Sequence, residues 1–198
     1  LRWHWHPHAG AWLGVALDDA DAATVRVQTS PSAKPQATGA VPRALRLPFA
    51  LEIGHLHVEN FTLGGAAPVH DLHARVALAA ENGAVHRIEA LRFGWERTQV
   101  SGNALLRADA PLRTEVELRA HNTVAPAADS ASSPRSETAR HWTAQASLKG
   151  TLQASTLMAH LDGTPSGASA APHFDLQAEL TPFAALPVKA VSLNTAAL

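Results

Sequence analysis

Apolar and polar residues alternate along much of this chain with a period of two, the spacing that sends successive side chains to opposite faces of a β-strand. Leu72, Ala74, Val76 and Leu78 alternate with His73, Arg75 and Ala77. Leu91, Phe93 and Trp95 do so against Arg92 and Gly94, and Val116 and Leu118 against Glu115, Glu117 and Arg119. Trp142, Ala144, Ala146 and Leu148 oppose Thr143, Gln145 and Ser147, while Phe174, Leu176, Ala178 and Leu180 oppose Asp175, Gln177 and Glu179. No stretch carries a 3.6-residue apolar period with caps at both ends, so the chain reads as all-β. The window from Ala16 to Val27 is the nearest ambiguity. Its acidic run, Asp18-Asp19-Ala20-Asp21, fits a helical turn or an acidic turn between two short strands.

The strands are punctuated in a recurring way. Leu47-Pro48-Phe49-Ala50 and Thr181-Pro182-Phe183-Ala184 each open a strand-like run, and Ala110-Pro111-Leu112 is a weaker copy. Glu81-Asn82-Gly83 suits a hairpin turn because Asn and Gly tolerate positive φ, and Gly64-Gly65 and Asp162-Gly163 read similarly. Between Leu51 and Leu63 the inward parity changes twice: Leu51 and Ile53, then Leu56 and Val58, then Phe61 and Leu63. Gly54 and Asn60 stand at the switches, which predicts bulges and a curved rather than flat sheet. A repeated strand unit of this kind suggests an array built by stacking, with function in a long surface.

Stretches rich in Ser, Ala, Pro, Gly and Thr divide the chain: Gln28 to Val41, His121 to Arg140, and Asp162 to Pro172. The organisation expected is strands of a preceding repeat over 1–27, a polar linker over 28–43, a β repeat unit over 44–119, and a low-complexity loop over 120–140. A second repeat unit then covers 141–198 with a polar insertion at 162–172. The abrupt ends predict an internal piece of a longer protein.

Composition narrows the function classes. Sixteen Lys and Arg against 17 Asp and Glu leave a formal charge of −1, which gives no basic face for nucleic acid and no polybasic signal for anionic membrane surfaces. The absence of Cys removes disulfides, thiol nucleophiles and thiolate metal sites. No apolar run reaches the roughly 18–20 residues of a spanning helix. No Gly-x-Ser-x-Gly elbow and no phosphate-cradling glycine loop occurs.

Histidine is the main chemical lead, with 12 in the chain. His4, His6 and His8 alternate, as do His55 and His57, so each set lies on one strand face and has zinc-ligand spacing. Without Cys, a His-Glu-x-x-His helix or a carboxylate pair to act as base, the ordinary reading of His55, His57 and Glu59 is a solvent face. Of the five Trp, namely Trp3, Trp5, Trp12, Trp95 and Trp142, the ordinary reading is packing, although aromatics on one face can stack sugars or bases. That leaves the apolar face. Covered by a second sheet it is core; uncovered, it needs a partner.

The strand phrasing resembles the TamB family of the AsmA-like superfamily, the inner-membrane subunits of the translocation and assembly module in Gram-negative envelopes. The likeness lies in Leu47-Pro48-Phe49-Ala50-Leu51-Glu52-Ile53 with Val58-Glu59-Asn60-Phe61-Thr62-Leu63, in Asp71 to Leu78, Ile88 to Trp95, and Gln99-Val100-Ser101-Gly102-Asn103-Ala104. Leu148-Lys149-Gly150-Thr151-Leu152 and Phe174 to Leu193 repeat the style more loosely. The resemblance implies an elongated, curved β-sheet forming a half-open trough with an apolar lining, in a periplasmic segment of a protein anchored in the inner membrane. It implies passive accommodation of phospholipid acyl chains for transport between the two membranes, an outer-membrane barrel partner of the TamA type, and no enzyme activity or cofactor. The groove residues expected on that basis are Leu56, Val58, Leu72, Val76, Leu78, Leu91, Phe93, Val116 and Leu118. Two alternatives stand beside it: a protein-binding scaffold receiving client strands by β-augmentation, and a metal-dependent enzyme using the His clusters.

Overall fold

The computed structural model describes residues 13–28, 42–122, 141–164, 173–184 and 187–196. They form one open sheet of ten strands in which the spatial order follows the chain. The strands are β1 (Leu13–Val27), β2 (Phe49–Leu63), β3 (Val69–Ala79), β4 (Val85–Trp95), β5 (Thr98–Arg107), β6 (Arg113–Asn122), β7 (Trp142–Thr151), β8 (Ser155–Gly163), β9 (His173–Leu180) and β10 (Val188–Ala196). All neighbours are antiparallel except β1 and β2, which run parallel. Residues 28–48 link that pair, long enough for the crossover a parallel pair requires. Strands pack against their neighbours in sequence, and among the described residues no second layer lies over either face.

The window around Asp18 resolves differently from either expectation. β1 is one unbroken strand of 15 residues, with neither a helical turn nor a break into short strands. The acidic residues are accommodated because Asp19 and Asp21 stand in register with His55 and His57 of β2. Asp162-Gly163, expected as a turn, is instead the end of β8, so the polar insertion begins after the strand and not at Asp162. The Pro-containing copies also part company. Leu47-Pro48 leads directly into β2, whereas Thr181 to Ala184 and Ala110-Pro111 lie in the connections before β10 and β6.

Register sorts the side chains. Directly paired residues share a face, so Leu17, Ile53, Val76, Ile88, Ala104, Val116, Leu148, Leu157, Ala178 and Val191 make one apolar row across all ten strands. Extra residues keep that row intact. The ladder shifts between Ile53 and Leu56, as the Gly54 parity switch predicts, and again between His70 and His73 and between Ile88 and Leu91. At the last two, Asp71 (φ 53°) and Ala90 (φ 50°) take left-handed conformations within strands. The Ala90 amide donates to Asn103 Oδ1 at 3.0 Å, so this irregular backbone group has a partner.

The least accessible side chains gather at one end of the sheet. Val85, Ala108 and Leu112 are almost inaccessible, and Ala79 nearly so. The segment before β2 folds onto that end: Leu45 N–H donates to Ala108 O at 2.7 Å, and Arg46 makes a bidentate pair with Asp109, both contacts at 2.7 Å. His86 accepts from the Ala79 amide at Nδ1, which puts its proton on Nε2 facing Leu45 O at 2.9 Å. Elsewhere Val58, Ala74 and Ala178 are buried and most of the apolar face is half-buried.

Gly102 is where β5 and β6 come closest. A Cβ there would collide with the Glu117 carbonyl oxygen and lie 2.8 Å from Leu118 Cδ2, whereas a Cβ on Gly65 meets nothing within 4 Å. We therefore expect Gly102→Ala to destabilise the sheet by about 1–3 kcal/mol and Gly65→Ala to stay within about 0.5 kcal/mol of the parent, as read from urea unfolding midpoints.

Candidate functional site

All nine residues expected to line a groove fall on the one apolar face. Val58 and Leu72 pair directly, and Leu56 pairs with Ala74. Leu78 pairs with Leu51, Val76 with Ile53 and Ile88, and Phe93 with Val100. Leu91 and Leu118 both pair with Gly102, and Val116 with Ala104 and Leu148. Val58 is buried and the other eight are half-buried. The face grows more open toward β10, where Val188, Val191 and Leu193 are all exposed. Trp95 shares this face and is 48% exposed, and Trp142 is half-buried. Trp3, Trp5 and Trp12, like His4, His6 and His8, lie outside the described residues.

The opposite face is polar, and it carries the larger concavity. A cavity of about 930 Å³ draws on seven consecutive strands, with Arg92, Arg119, Gln145, His160, Asp175 and Asn194 in one register row. Lys149 and Glu117 pair across the hollow at 3.2 Å.

Two His/Asp clusters stand on this polar face. In the first, His57 and His73 are cross-strand partners whose rings stack 4.5 Å apart. His57 Nδ1 lies 3.2 Å from Asp21, and both rings approach Asp71, His73 at 3.0 Å and His57 at 3.3 Å. His55 is a looser neighbour of Asp19 at 3.5 Å. The hydrogen bond from His73, with the adjacent imidazoles, holds the Asp71 carboxyl below its ordinary value.

The second cluster joins β8 and β9. His160 and Asp162 stand two apart on β8, His173 and Asp175 two apart on β9, and antiparallel register sets each His opposite an Asp. His160 reaches Asp175 at 2.6 Å and Asp162 at 2.7 Å; His173 reaches Asp162 at 2.9 Å and Asp175 at 3.0 Å. These bonds raise both imidazoles, His160 chiefly through Asp175 and His173 chiefly through Asp162, and lower both carboxyls. This cluster was not singled out from the sequence, although its signal is there: His160-Leu161-Asp162 and His173-Phe174-Asp175 are two His-apolar-Asp tripeptides on neighbouring strands. Only the register, set across an intervening polar insertion, shows that they cross-pair.

Asp71 offers a test of the first cluster. Because its folded pKa is depressed, its contribution to stability is present above the ordinary carboxyl range and is lost as pH falls through the lowered value. Asn tolerates the left-handed backbone at this position, so Asp71→Asn removes charge without straining φ. The variant should unfold at lower urea than the parent at pH 7, with the gap closing near pH 2. An equal gap at both pH values would remove the electrostatic role.

No helix among the described residues is long and apolar enough to cross a membrane. No protein-family model, curated protein or solved structure matches this chain, so its own residues carry the functional argument.

Proposed function

We propose that this sheet is a passive lipid-accommodating surface, whose apolar face receives the acyl chains of phospholipid while headgroups stay near solvent. One observation carries the reading: an apolar face continuous over ten strands with no second layer over it among the described residues. Strands about 4.8 Å apart make that face roughly 43 Å wide. Soluble monomers rarely expose apolar patches beyond a few hundred Å², so a surface of this extent calls for a partner. Acyl chains suit it because the attraction is non-directional and adds up to about 0.8 kcal/mol for each methylene removed from water.

The resemblance to TamB-like envelope proteins supplies the source of those chains, phospholipid in transit between inner and outer membranes, with a TamA-type barrel as partner. Nothing in this mechanism needs a nucleophile or an energy source within these residues. A second reading is favoured by the sheet edges. The outer side of β10 pairs with no further strand among the described residues, and Val191 and Leu193 beside it are 61% and 56% exposed. Such an edge could take a client strand by β-augmentation.

Native mass spectrometry of the purified chain, with lipid extraction of the same sample, separates the two. The lipid reading expects co-purified phospholipid. It further expects Val76→Asp or Phe93→Asp to lower occupancy more than about tenfold, since an unpaired charge against acyl chains costs more than the 1.4 kcal/mol that corresponds to tenfold. The far-UV signature of the strands should persist in both variants. A stable, lipid-free parent chain would overturn this reading and favour strand addition at the edges.

A further inference from the structure

The β8–β9 cluster has an arrangement beyond that of an ion-pair ladder. His160 Nε2 and His173 Nδ1 both turn toward Asp162, at 2.7 and 2.9 Å, and the donor atoms of these three residues lie within 4.8 Å of one another. The far nitrogen of each ring, His160 Nδ1 and His173 Nε2, is held by the same second carboxylate, Asp175, at 2.6 and 3.0 Å. The rings meet edge to face, with centroids 4.8 Å apart and planes at 73°. In the first cluster His57 Nε2 and His73 Nε2 likewise approach one oxygen of Asp71, at 3.3 and 3.0 Å, but those rings stack nearly parallel and the second carboxylate there, Asp21, is paired with His57.

Proton accounting makes the point. When Asp175 accepts a proton from each ring, one N–H of each imidazole is fixed on its far side. A neutral imidazole then presents a bare nitrogen toward Asp162. Two bare nitrogens and a carboxylate would face one another with no donor between them, so the space holds either two further protons or one cation. Two imidazole nitrogens and one carboxylate, with a second carboxylate orienting both rings from outside, make the usual ligand and outer-sphere set of a borderline divalent transition metal. All four side chains are between about a third and a little over half exposed, so an ion has access from solvent.

The geometry points to a divalent transition-metal site of the zinc type at the β8–β9 ladder, with His160 Nε2, His173 Nδ1 and Asp162 as ligands and Asp175 as the group that orients both rings. Zinc bonds of about 2.0–2.1 Å place neighbouring donors roughly 3.3 Å apart in a tetrahedron, a spreading of well under 1 Å from the present spacing to Asp162. The remaining coordination position faces solvent. Magnesium and calcium, which take oxygen ligands, do not suit this donor set. Bound there, the ion would clip together two strands whose connection is a long polar insertion.

The test is a zinc titration by calorimetry on the full chain carrying His4→Gln, His6→Gln, His8→Gln, His57→Gln and His73→Gln, which removes the other histidine run and the first cluster. One equivalent should bind, and equimolar Mg²⁺ should not displace it. In that background His160→Gln with His173→Gln should abolish the equivalent, and Asp175→Asn should weaken it roughly 10–100-fold. In the chain with His160 and His173 intact, substoichiometric Cu²⁺ should broaden the imidazole resonances of these two residues first, a readout that needs no change at the site. Retention of the equivalent by the His160/His173 variant, displacement by Mg²⁺, or unbroadened His160 and His173 resonances would each overturn the assignment.

Discussion

The constraint on which everything else in this molecule depends is cross-strand register. Side chains in a strand alternate with a period of two, so a slip of one residue would exchange the two faces of any strand. Here ten strands keep their apolar residues on one side, and they do so through irregularities rather than in spite of them. The shift near Gly54 and the left-handed residues Asp71 and Ala90 each absorb a residue that would otherwise invert the pattern downstream. Without the Ala90 bulge, Leu91 and Phe93 would fall on the face of Arg87 and Glu89 and Arg92 would take their place, breaking the apolar row at β4. Bulges also add twist.

The same register creates the chemistry of the polar face. Asp19 and Asp21 meet His55 and His57, His57 meets His73, and two His-apolar-Asp tripeptides cross-pair on β8 and β9. None of these residues is deeply buried, and exposed ion pairs contribute little to stability one at a time. Their placement matters more for what they can bind than for what they hold together.

Much of this was legible in advance because alternation is a local signal. The nine apolar residues from Leu56 to Leu118 could be assigned to one face from parity alone, and the switch at Gly54 was visible in the order Ile53, Leu56. The switch placed at Asn60 has its counterpart one strand away, at Asp71, whose positive φ no local pattern announced. What was not legible depends on distant partners. The Asp18 to Asp21 run looked like a turn because its neutralising histidines lie some 36 residues on, in a parallel strand. His160 and His173 looked unremarkable separately, since only pairing across an insertion brings them to shared carboxylates. Whether a second sheet covered the apolar face was likewise beyond any periodicity, which describes one strand at a time.

An open single layer has an energetic consequence that links fold to function. Lateral hydrogen bonding satisfies the backbone of the inner strands, but burial is supplied only by neighbours along the sheet, and the nearly inaccessible residues cluster at the end closed by Leu45 and Arg46. The apolar side chains elsewhere keep part of their surface in water and could lose it only to something laid upon them. Whatever covers that face binds the folded sheet and not the unfolded chain, and so stabilises it by mass action. A second layer among the described residues would have made the sheet more stable by itself and would have left less surface to occupy. The feature that keeps this fold short of a closed core is the one that gives it an apolar surface to offer.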